Sequence, residues 1–321
     1  MYDVVTLGES FVDFTPIVPE TKMSLSEGFM KNAGGAVANV ACGVATLGGK
    51  SAFLGKMGND PFGDFLFETL KNKKVDVSGV KRTDKAKTKL AFVNYLPDGK
   101  RKFVFWGSPS ADEIYKEVEL EKSIIENTKI FHFGSISMIA EDSYQATMSA
   151  ITLAKAKGAL ISYDPNVRMD LWQDQFVARE KITEGLNRAD IIKIADNELK
   201  LCTGTEDIDE GLEMLSFIGA KIALITLGEG GVYYKWGNNK GYLASYKVNC
   251  IDSTGAGDSF VSALLFQIAR QNIPILDYDE SLSRGVLDFA CKAGAIVVTK
   301  HGAIPSMPTF DDIKNFTCER Y

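Results

Sequence analysis

The chain has 321 residues, of which 36 are Lys or Arg and 42 are Asp or Glu, giving a formal charge of −6. With 45% hydrophobic and 24% charged residues, the composition is that of a globular protein with a sizeable core, and it argues against disordered, collagen-like and membrane-spanning classes. An acidic chain has no general attraction for nucleic acid or anionic lipid, so a polyanionic ligand must be held by a local group of residues.

Short β-rich runs alternate with helical patterns along most of the chain. Buried strands are predicted over residues 3–7, 51–54, 130–133, 160–163, 191–194 and 222–226. Apolar residues at helical spacing predict intervening helices over 35–47, 62–71, 143–157, 174–187 and 207–217. Parallel strands need long crossover connections, and both faces of a parallel sheet must be covered. The alternation therefore predicts an α/β fold with a doubly wound, mostly parallel sheet flanked by helices.

Two segments interrupt this alternation. Residues 90–96 and 102–106 have the pattern of strands, and residues 97–100 between them include a Pro and a Gly that fit a hairpin connection. Residues 13–31 fit neither a clear helix nor a core strand. A hairpin cannot supply a parallel crossover. We therefore expect these segments to form a separate small sheet, which acts as a lid or as an oligomerisation surface.

The sequence offers few residues for metal or thiol chemistry. The two histidines, His132 and His301, lie far apart, so neither an HExxH zinc helix nor a multi-histidine cluster can form. The five cysteines include no CxxC pair, which is typical of reduced thiols in a cytoplasm. The first residues predict a strand rather than a signal peptide, and no apolar run approaches the ~20 residues of a membrane span. We expect a cytoplasmic protein that binds neither membrane nor nucleic acid.

The run DSTGAGD at residues 252–258 precedes a predicted helix over 259–270. Its small residues leave approachable backbone N–H groups at the start of that helix, where the helix dipole adds positive potential, so the run can bind an anion. Asp258 would repel a phosphate, but it can accept a proton from a hydroxyl that attacks one. A glycine-rich turn with an ordinary first-turn Asp is the alternative interpretation.

This run and NAGGAVAN at residues 32–39 resemble the two signatures of the PfkB carbohydrate kinase family, which has the ribokinase fold. The family's other motifs follow in order: GE near the start, DPNVR at 164–168, TLGEGG at 226–231 and GAIPSMP at 302–308. The resemblance covers essentially the whole chain and implies a ribokinase-like α/β protein with a small β-sheet lid.

The order of the motifs predicts the domain organisation. One large α/β domain that binds nucleotide and substrate is expected over residues 1–12, 34–88 and 112–321. A discontinuous β lid is expected over residues 13–33 and 89–111. The resemblance implies that the protein forms a homodimer through this lid.

The family's sugar-binding positions can be carried over residue by residue. Asp13, which we place at the end of the first strand, matches an Asp that accepts hydrogen bonds from sugar hydroxyls. Glycines permit close backbone approach, and an amide beside a carboxylate can pair with hydroxyls as donor and acceptor. Alternatives are a turn role for Asp13, a structural ion pair for Arg168 and core packing for the aromatic residues. The implied substrate-binding residues are Asp13, Gly34, Gly35, Asn39, Phe103, Phe105 and Arg168.

The implied catalytic residues lie in the DSTGAGD run. Asp258 matches the family's base, and Gly255, Ala256 and Gly257 match an anion hole that stabilises charge on the transferring phosphoryl group. The TLGEGG motif matches the family's nucleotide loop, although by itself it fits a hairpin turn equally well. A helix over 282–298 should wall the adenine. The implied cofactor-binding residues are Thr226, Gly228, Gly231, Glu198 and Lys193.

The metal-binding positions are less complete. The family's NxxE motif, linked to Mg²⁺ and phosphate through water, falls on residues 195–198, where its Asn is replaced by Ala195, so only Glu198 is carried over. A monovalent cation site, for K⁺, is common in the family and would use carbonyl groups for the most part. Its expected residues are Asp252, Thr254, Val297, Lys300, Gly302 and Ser306.

The resemblance implies that Mg·ATP phosphorylates a sugar, with D-fructose at its 6-hydroxyl as the expected substrate. Residues 98–112 and 164–172 are similar to the lid hairpin and the DPNxRxxLW stretch of fructokinases. A 2-keto-3-deoxygluconate kinase, whose acidic substrate favours cations such as Arg101 and Arg168, or a ribokinase is the alternative. From other classes, a non-catalytic sugar sensor would be expected to lack Asp258, and an NAD-dependent oxidoreductase would be expected to carry GxGxxG after its first strand.

Overall fold

The computed structural model describes residues 1–18, 21–95, 101–271 and 273–321, with the backbone alone at Tyr95 and Arg101. The predicted hairpin connection at 97–100 therefore lies outside the described residues. The described strands are β1 (Tyr2–Leu7), β2 (Phe11–Pro16), β3 (Phe29–Gly34), β4 (Ser51–Gly58), β5 (Val80–Thr83), β6 (Leu90–Tyr95), β7 (Arg101–Trp106), β8 (Thr128–Phe133), β9 (Leu160–Tyr163), β10 (Ile191–Ala195), β11 (Ile222–Thr226), β12 (Val232–Trp236) and β13 (Asn239–Leu243).

Helices occupy the connections between most of these strands. Asp side chains cap the N-termini of several of them, and each such cap stabilises its helix by ~1 kcal/mol. The described α-helices are α1 (Ala36–Thr46), α2 (Pro61–Asn72), α3 (Lys122–Ile125), α4 (Glu141–Ala156), α5 (Gln175–Arg188), α6 (Leu199–Thr203), α7 (Ile208–Phe217), α8 (Ala256–Arg270), α9 (Glu280–Val297) and α10 (Phe310–Lys314).

Short 3₁₀ turns complete the secondary structure. They lie mainly in loops that follow strands or precede helices. Their bounds are Met23–Leu25, Glu117–Glu119, Ile136–Met138, Met169–Leu171, Asp196–Glu198, Gly228–Gly230, Ile275–Asp277 and Ile304–Ser306. In the described part of the chain, no helix combines the length and the apolar character needed to cross a bilayer.

The larger sheet has the strand order β13-β12-β11-β10-β9-β8-β1-β4-β5. Neighbouring strands from β11 to β5 run parallel, whereas β12 and β13 add an antiparallel edge. The central strands are buried on both faces by two large hydrophobic clusters, which is why apolar residues predominate in them. The predicted doubly wound α/β architecture is confirmed. β5 and the edge hairpin were not predicted. Lys81 and Arg82 interrupt β5, and buried residues alternate with partly exposed ones along β12, as is typical of an antiparallel strand near a sheet edge.

The order of the strands creates a crevice at one edge of this sheet. From β1 the chain passes to β4 and β5 on one side and then returns to β8 on the other side. Ligands of open α/β sheets bind beyond the carboxyl ends of the strands at such a reversal. The residues that follow β1, β8 and β9 therefore lie where a ligand is expected.

A second sheet, with the order β3-β2-β6-β7, stands beside this crevice and is called the lid below. β2 pairs antiparallel with β3 and parallel with β6, and β6 pairs antiparallel with β7. The predicted position of Asp13 at the end of the first strand is wrong. Asp13 lies inside β2, opposite Asn32 of β3 and Ala91 of β6. The strand was missed because it contains an Asp and a Pro, which are rare in strands. The predicted domain boundaries stay a prediction.

Candidate active site

A cavity of about 360 Å³ lies between the lid and the carboxyl edge of the larger sheet, and is called the first cavity. Its walls come from β2 and β7 of the lid, the N-termini of α1 and α8, and the loop after β9. Gly34 lies just behind this lining, where a Cβ atom would approach Asp13 Oδ2 to within 2.3 Å. The sequence-predicted residues that line the cavity are Asp13, Gly35, Asn39, Phe103, Phe105, Arg168, Lys193, Thr254, Gly255, Ala256, Gly257 and Asp258.

A hydrogen bond joins α1 and α8, the helices that begin within the two signature motifs. The Nδ2 group of Asn39, on α1, donates to Oδ2 of Asp258, on α8, over 2.7 Å, and both side chains are buried. Burial raises the pKa of Asp258 to about 6, although the bond from Asn39 opposes this shift. A carboxylate with a pKa close to neutrality is suited to take a proton from a hydroxyl and release it again.

Asp13 lines the same cavity and carries an unsatisfied acceptor. The residue is 9% exposed, and its Oδ1 atom has no hydrogen-bond partner among the described residues. Burial raises the pKa of Asp13 to about 7; Arg168 opposes the shift, and Asp252 and Asp258 add to it. Buried carboxylate oxygens are costly to leave unpaired. A ligand hydroxyl that donates to Oδ1 would remove that cost.

If the ligand is the sugar that the family resemblance implies, replacing Asp13 with Asn should weaken its binding and stabilise the unliganded fold. We expect KM for the sugar to rise about 10- to 100-fold, the range for losing a hydrogen bond to a charged group. Because the pKa of the folded state is raised, the folded protein holds the proton longer than the unfolded chain, and the charged side chain destabilises the fold increasingly between about pH 4 and pH 7. The gain in Tm should be full at pH 8 and should disappear below about pH 4.

Thermal unfolding at several pH values and sugar kinetics test both halves of this prediction. Asp84→Asn, at an exposed position, is the matched control and should change neither quantity. A variant Asp13→Asn with unchanged KM would contradict the binding role, and one with a lower Tm at pH 8 would contradict the buried-charge argument.

Aromatic rings of β7 form the lid side of the cavity. Phe103 and Phe105 stack with their centroids 6.1 Å apart, and the guanidinium of Arg168 lies 5.7 Å from the centroid of Phe103. Such a cation–π contact is worth roughly 0.5–1 kcal/mol. It joins the lid to the loop after β9. Trp106, on the opposite face of the same strand, is 63% exposed, as the alternation of strand faces predicts.

The N-terminus of α8 is built to receive an anion. Gly255 precedes the helix with φ +83°, and a Cβ atom there would lie 2.6 Å from Cβ of Ala303, so only glycine fits. No side chain of the described residues caps this helix, in contrast to α2, α5, α7 and α9. Its first N–H groups have no intrahelical acceptors and carry the positive end of the helix dipole.

A buried cation lies beside this helix start. Lys193 Nζ is 3.0 Å from Asp164 Oδ2, and a Cβ atom on Gly257 would lie 3.1 Å from Nζ. Burial alone would lower the pKa of Lys193, but the carboxylates of Asp164 and Glu198 outweigh burial and raise it. The ammonium group therefore stays charged and adds a fixed positive potential next to the Gly255–Gly257 segment.

A second cavity of about 370 Å³ shares Ser253, Ala256 and Gly257 with the first. It lies between the TLGEGG turn, with Thr226, Gly228 and Gly231, and helix α9. The turn also connects the antiparallel strands β11 and β12, so it is both a hairpin connection and a cavity wall. The apolar lining suits a flat heterocyclic base. Its apolar residues are Val248, Phe260, Ala295 and Val298.

Glu198 lies outside the lining of both cavities. Its Oε1 accepts a hydrogen bond from Val167 N over 2.6 Å, and its Oε2 accepts one from Ala195 N over 2.8 Å. These bonds hold the loop that carries Arg168 against β10. The predicted role of Glu198 toward a cofactor stays a prediction.

Asp252 bonds to two of the other residues predicted to bind a monovalent cation, Thr254 and Gly302. Asp252 Oδ2 accepts from Gly302 N over 2.9 Å, and Oδ1 accepts from Thr254 Oγ1 over 2.6 Å. Val297 and Ser306 are buried nearby, whereas Lys300 is exposed. Across the described residues, no group of three or more His, Cys, Asp or Glu side chains is arranged to hold a metal ion.

The first cavity has polar lining residues that were not predicted as site residues, among them two carboxylates and one amide. Glu9, Asp164 and Asn166 all line it. The GE and DPNVR motifs contain them, so a signal was present. Their chemical roles could not be assigned because burial and distance to the other carboxylates depend on the tertiary structure.

Comparison with known proteins gives consistent results over nearly the whole chain. The family model described as pfkB family carbohydrate kinase matches residues 1–310. Probable fructokinase-2 of Arabidopsis thaliana is 45% identical over 307 residues, which cover 95% of this chain and 93% of that protein. Fructokinase-2 of Solanum lycopersicum is 44% identical with the same coverage.

Solved structures of fructokinases superpose on the fold. The fructokinase of Xylella fastidiosa with bound ATP has a TM-score of 0.89 and 32% identity, with 98% of each chain covered. A double mutant of the Vibrio cholerae O395 fructokinase, in a fructose-, ADP- and potassium-bound form, has a TM-score of 0.87 and 29% identity, with 98% of this chain and 97% of that chain covered.

Proposed function

Because the chain belongs to the pfkB family of carbohydrate kinases, we propose that it is a fructokinase, which transfers the γ-phosphate of ATP to the 6-hydroxyl of D-fructose. One observation carries the proposal. The first cavity is lined by residues with unpaired carboxylate and amide oxygens, which suit hydroxyl donors, and it meets the apolar second cavity at Ala256 and Gly257, where α8 begins. Because the relatives reported above are named fructokinases, we choose fructose as the proposed sugar.

In this mechanism the first cavity holds the sugar and the second cavity holds the nucleotide. Asp13 and Asn39 bind sugar hydroxyls, and the 6-hydroxyl faces Asp258. As the hydroxyl oxygen bonds to the γ-phosphorus, its proton passes to the Asp258 carboxylate and the bond to the β-phosphate oxygen breaks. The products are fructose 6-phosphate and ADP, and Asp258 then releases its proton to water. Electrostatic stabilisation of the transferring group comes from the backbone N–H groups at Gly255–Gly257 and from Lys193.

Mg²⁺ fits this site as a companion of the nucleotide. Mg²⁺ binds mainly through substrate phosphates and water with one or two carboxylates, so a cluster of protein ligands is not required. When bound, it neutralises charge on the β- and γ-phosphates. Glu198 lies outside the lining of both cavities, so in this proposal it acts on Mg²⁺ only through water, with the second lone pair that each carboxylate oxygen keeps beyond its backbone hydrogen bond.

We also propose a K⁺ site at Asp252, Thr254, Val297, Lys300, Gly302 and Ser306. The bonds from Asp252 to Thr254 and Gly302 tie this segment to the start of α8, so an ion there would order the Gly255–Gly257 segment. Replacing choline chloride with KCl at equal ionic strength should raise kcat severalfold. Activity independent of K⁺ would contradict the site.

The lid is proposed to form a homodimer through its outer face. Phe14, Phe92 and Trp106 form a row of ring contacts there, with Phe14 and Phe92 5.0 Å apart and Phe92 and Trp106 6.5 Å apart. Trp106 is largely exposed in the single chain, and a large exposed aromatic side chain is typical of a surface that a partner subunit covers.

The deciding experiment for the function is an ADP-release assay with a panel of acceptors. Fructose, ribose, 2-keto-3-deoxygluconate, adenosine and fructose 6-phosphate are compared at equal concentration. A much higher kcat/KM for fructose is expected. Preference for 2-keto-3-deoxygluconate is the second candidate, favoured by the guanidinium of Arg168 in the first cavity, which suits a carboxylate. Equal or absent activity on all the acceptors would overturn the proposal.

A further inference from the structure

Glu9 is a buried carboxylate at the base of the lid with one unused oxygen. The residue is 2% exposed, follows β1 and lines the first cavity. Its Oε1 accepts a hydrogen bond from Ala36 N, at the N-terminus of α1, over 2.9 Å. Its Oε2 has no hydrogen-bond partner among the described residues. A buried carboxylate oxygen without a partner is costly, so Oε2 is expected to gain one in the working protein.

The neighbouring cation does not supply that partner. Lys89, just before β6, is 2.7 Å from Asp112 and 3.1 Å from Glu113, so its ammonium group is committed to those two carboxylates. Burial raises the pKa of Glu9 to about 7, and the charge of Asp112 adds to this shift. Hydrogen bonds from the backbone N–H groups of Glu9 itself and of Ala36, and the charge of Lys89, oppose it. Glu9 therefore lies beside this buried ion cluster without a hydrogen bond from it, and the first cavity is where a donor can approach.

The other unpaired acceptors of the cavity indicate what the donor is. Asp13 Oδ1 and Asn39 Oδ1 also lack partners, and all three residues line the first cavity. Three acceptors at one cavity match a ligand with several hydroxyl donors, and they fit a polyol better than an anion, which each of the two carboxylates would repel.

We propose that Glu9 is a sugar-binding residue, whose Oε2 accepts a hydrogen bond from a hydroxyl of the bound sugar while Oε1 holds the N-terminus of α1. This inference rests on the proposed function. It implies that the sugar contacts the junction from which β2 and α1 depart. Because Asn39 lies on α1 and bonds to Asp258, Glu9 also links sugar binding to the position of the base.

The variant Glu9→Gln separates this role from simple helix capping. Its amide oxygen can still accept from Ala36 N, but an NH₂ group replaces the unpaired acceptor. We expect KM and Kd for fructose to rise about 10- to 100-fold, with KM for ATP unchanged. Tm at pH 8 should rise, because the variant removes a buried charge as Asp13→Asn does. Glu9→Ala removes both the acceptor for Ala36 N and the unpaired acceptor, and it should also lower Tm. Glu117→Gln, at an exposed position, is the matched control.

Deoxy analogues of fructose identify the hydroxyl. The wild type should bind one monodeoxy analogue more weakly than fructose, and Glu9→Gln should show no further loss for that same analogue. If Glu9→Gln keeps the wild-type KM and responds to every analogue as the wild type does, Glu9 only caps α1 and the inference is overturned.

The same experiment separates the two proposals. If the wild type phosphorylates fructose and Glu9→Gln behaves as the wild type does, only the role of Glu9 is overturned. A wild type that prefers another sugar overturns the fructokinase proposal, and the comparison is then made with that sugar. A wild type without activity on any sugar overturns both.

Discussion

Replacement of Asp258 with Asn is expected to lower kcat by about 10²- to 10⁴-fold, the usual contribution of a positioned general base. The side chain keeps its shape and removes a buried charge, so the fold should be retained. An ADP-release assay measures the rate, and thermal unfolding checks the fold. Asp84→Asn is again the exposed control. Full kcat in Asp258→Asn would show that another group accepts the proton.

The pH profile tests the same assignment. Burial raises the pKa of Asp258 to about 6, and the pKa values of Asp13 and Glu9, in the same cavity, to about 7. Asp258 can take a proton only when it is ionised, and the carboxyl groups of Asp13 and Glu9 accept hydrogen bonds more strongly when they are ionised. The value of kcat/KM for the sugar should therefore fall as pH decreases from 7 to below 6, with a slope that involves more than one proton. The residual activity of Asp258→Asn should no longer depend on an ionisation near pH 6, but it should still depend on the ionisations near pH 7.

Substitution of Gly255 by Ala is expected to lower kcat by about 10²- to 10³-fold, the loss seen when a hydrogen-bond donor of an anion hole is misplaced. A φ of +83° costs an L-residue about 1–2 kcal/mol. The added Cβ atom would also lie 2.6 Å from Cβ of Ala303, so the Gly255–Gly257 segment must move. The predicted anion hole and the start of α8 would move with it.

A matched glycine separates backbone strain from displacement of the site. Gly48, after α1, has φ +92°, and nothing lies within 4 Å of a Cβ atom there. Gly48→Ala should lower Tm slightly and leave kcat unchanged. The double variant Gly255→Ala with Ala303→Gly relieves the contact and should recover part of the lost rate. A variant Gly255→Ala with wild-type kcat would contradict the anion hole.

Much of the fold could be predicted from local patterns. The parallel strands β8, β10 and β11 are predominantly apolar because helices cover both faces of the sheet, and such short apolar segments can be recognised without any structure. The lid strands were harder to recognise. β2 contains Asp13 and Pro16, and its faces are only partly buried, so its sequence resembles a loop.

The residue types of the candidate site were likewise visible as motifs. GAGD requires a glycine with positive φ before a helix, and GG before α1 permits close approach, both of which depend on residues that are neighbours in the chain. The motif roles assigned to Asp13, Asn39 and Asp258 followed from the resemblance to a family. The hydrogen-bond partners and pKa values of these three side chains did not follow from the resemblance.

The motifs and most of the helices and core strands could be predicted from the sequence, because they depend on residues that are close along the chain. Which groups meet depends on the tertiary structure. Asn39 and Asp258 are 219 positions apart, yet they share a hydrogen bond. Lys193 lies against Gly257, and Glu9 lies beside Lys89 and Asp112. Burial by several distant elements raises the pKa values of Glu9, Asp13 and Asp258, and burial exists only once the crossovers have brought those elements together.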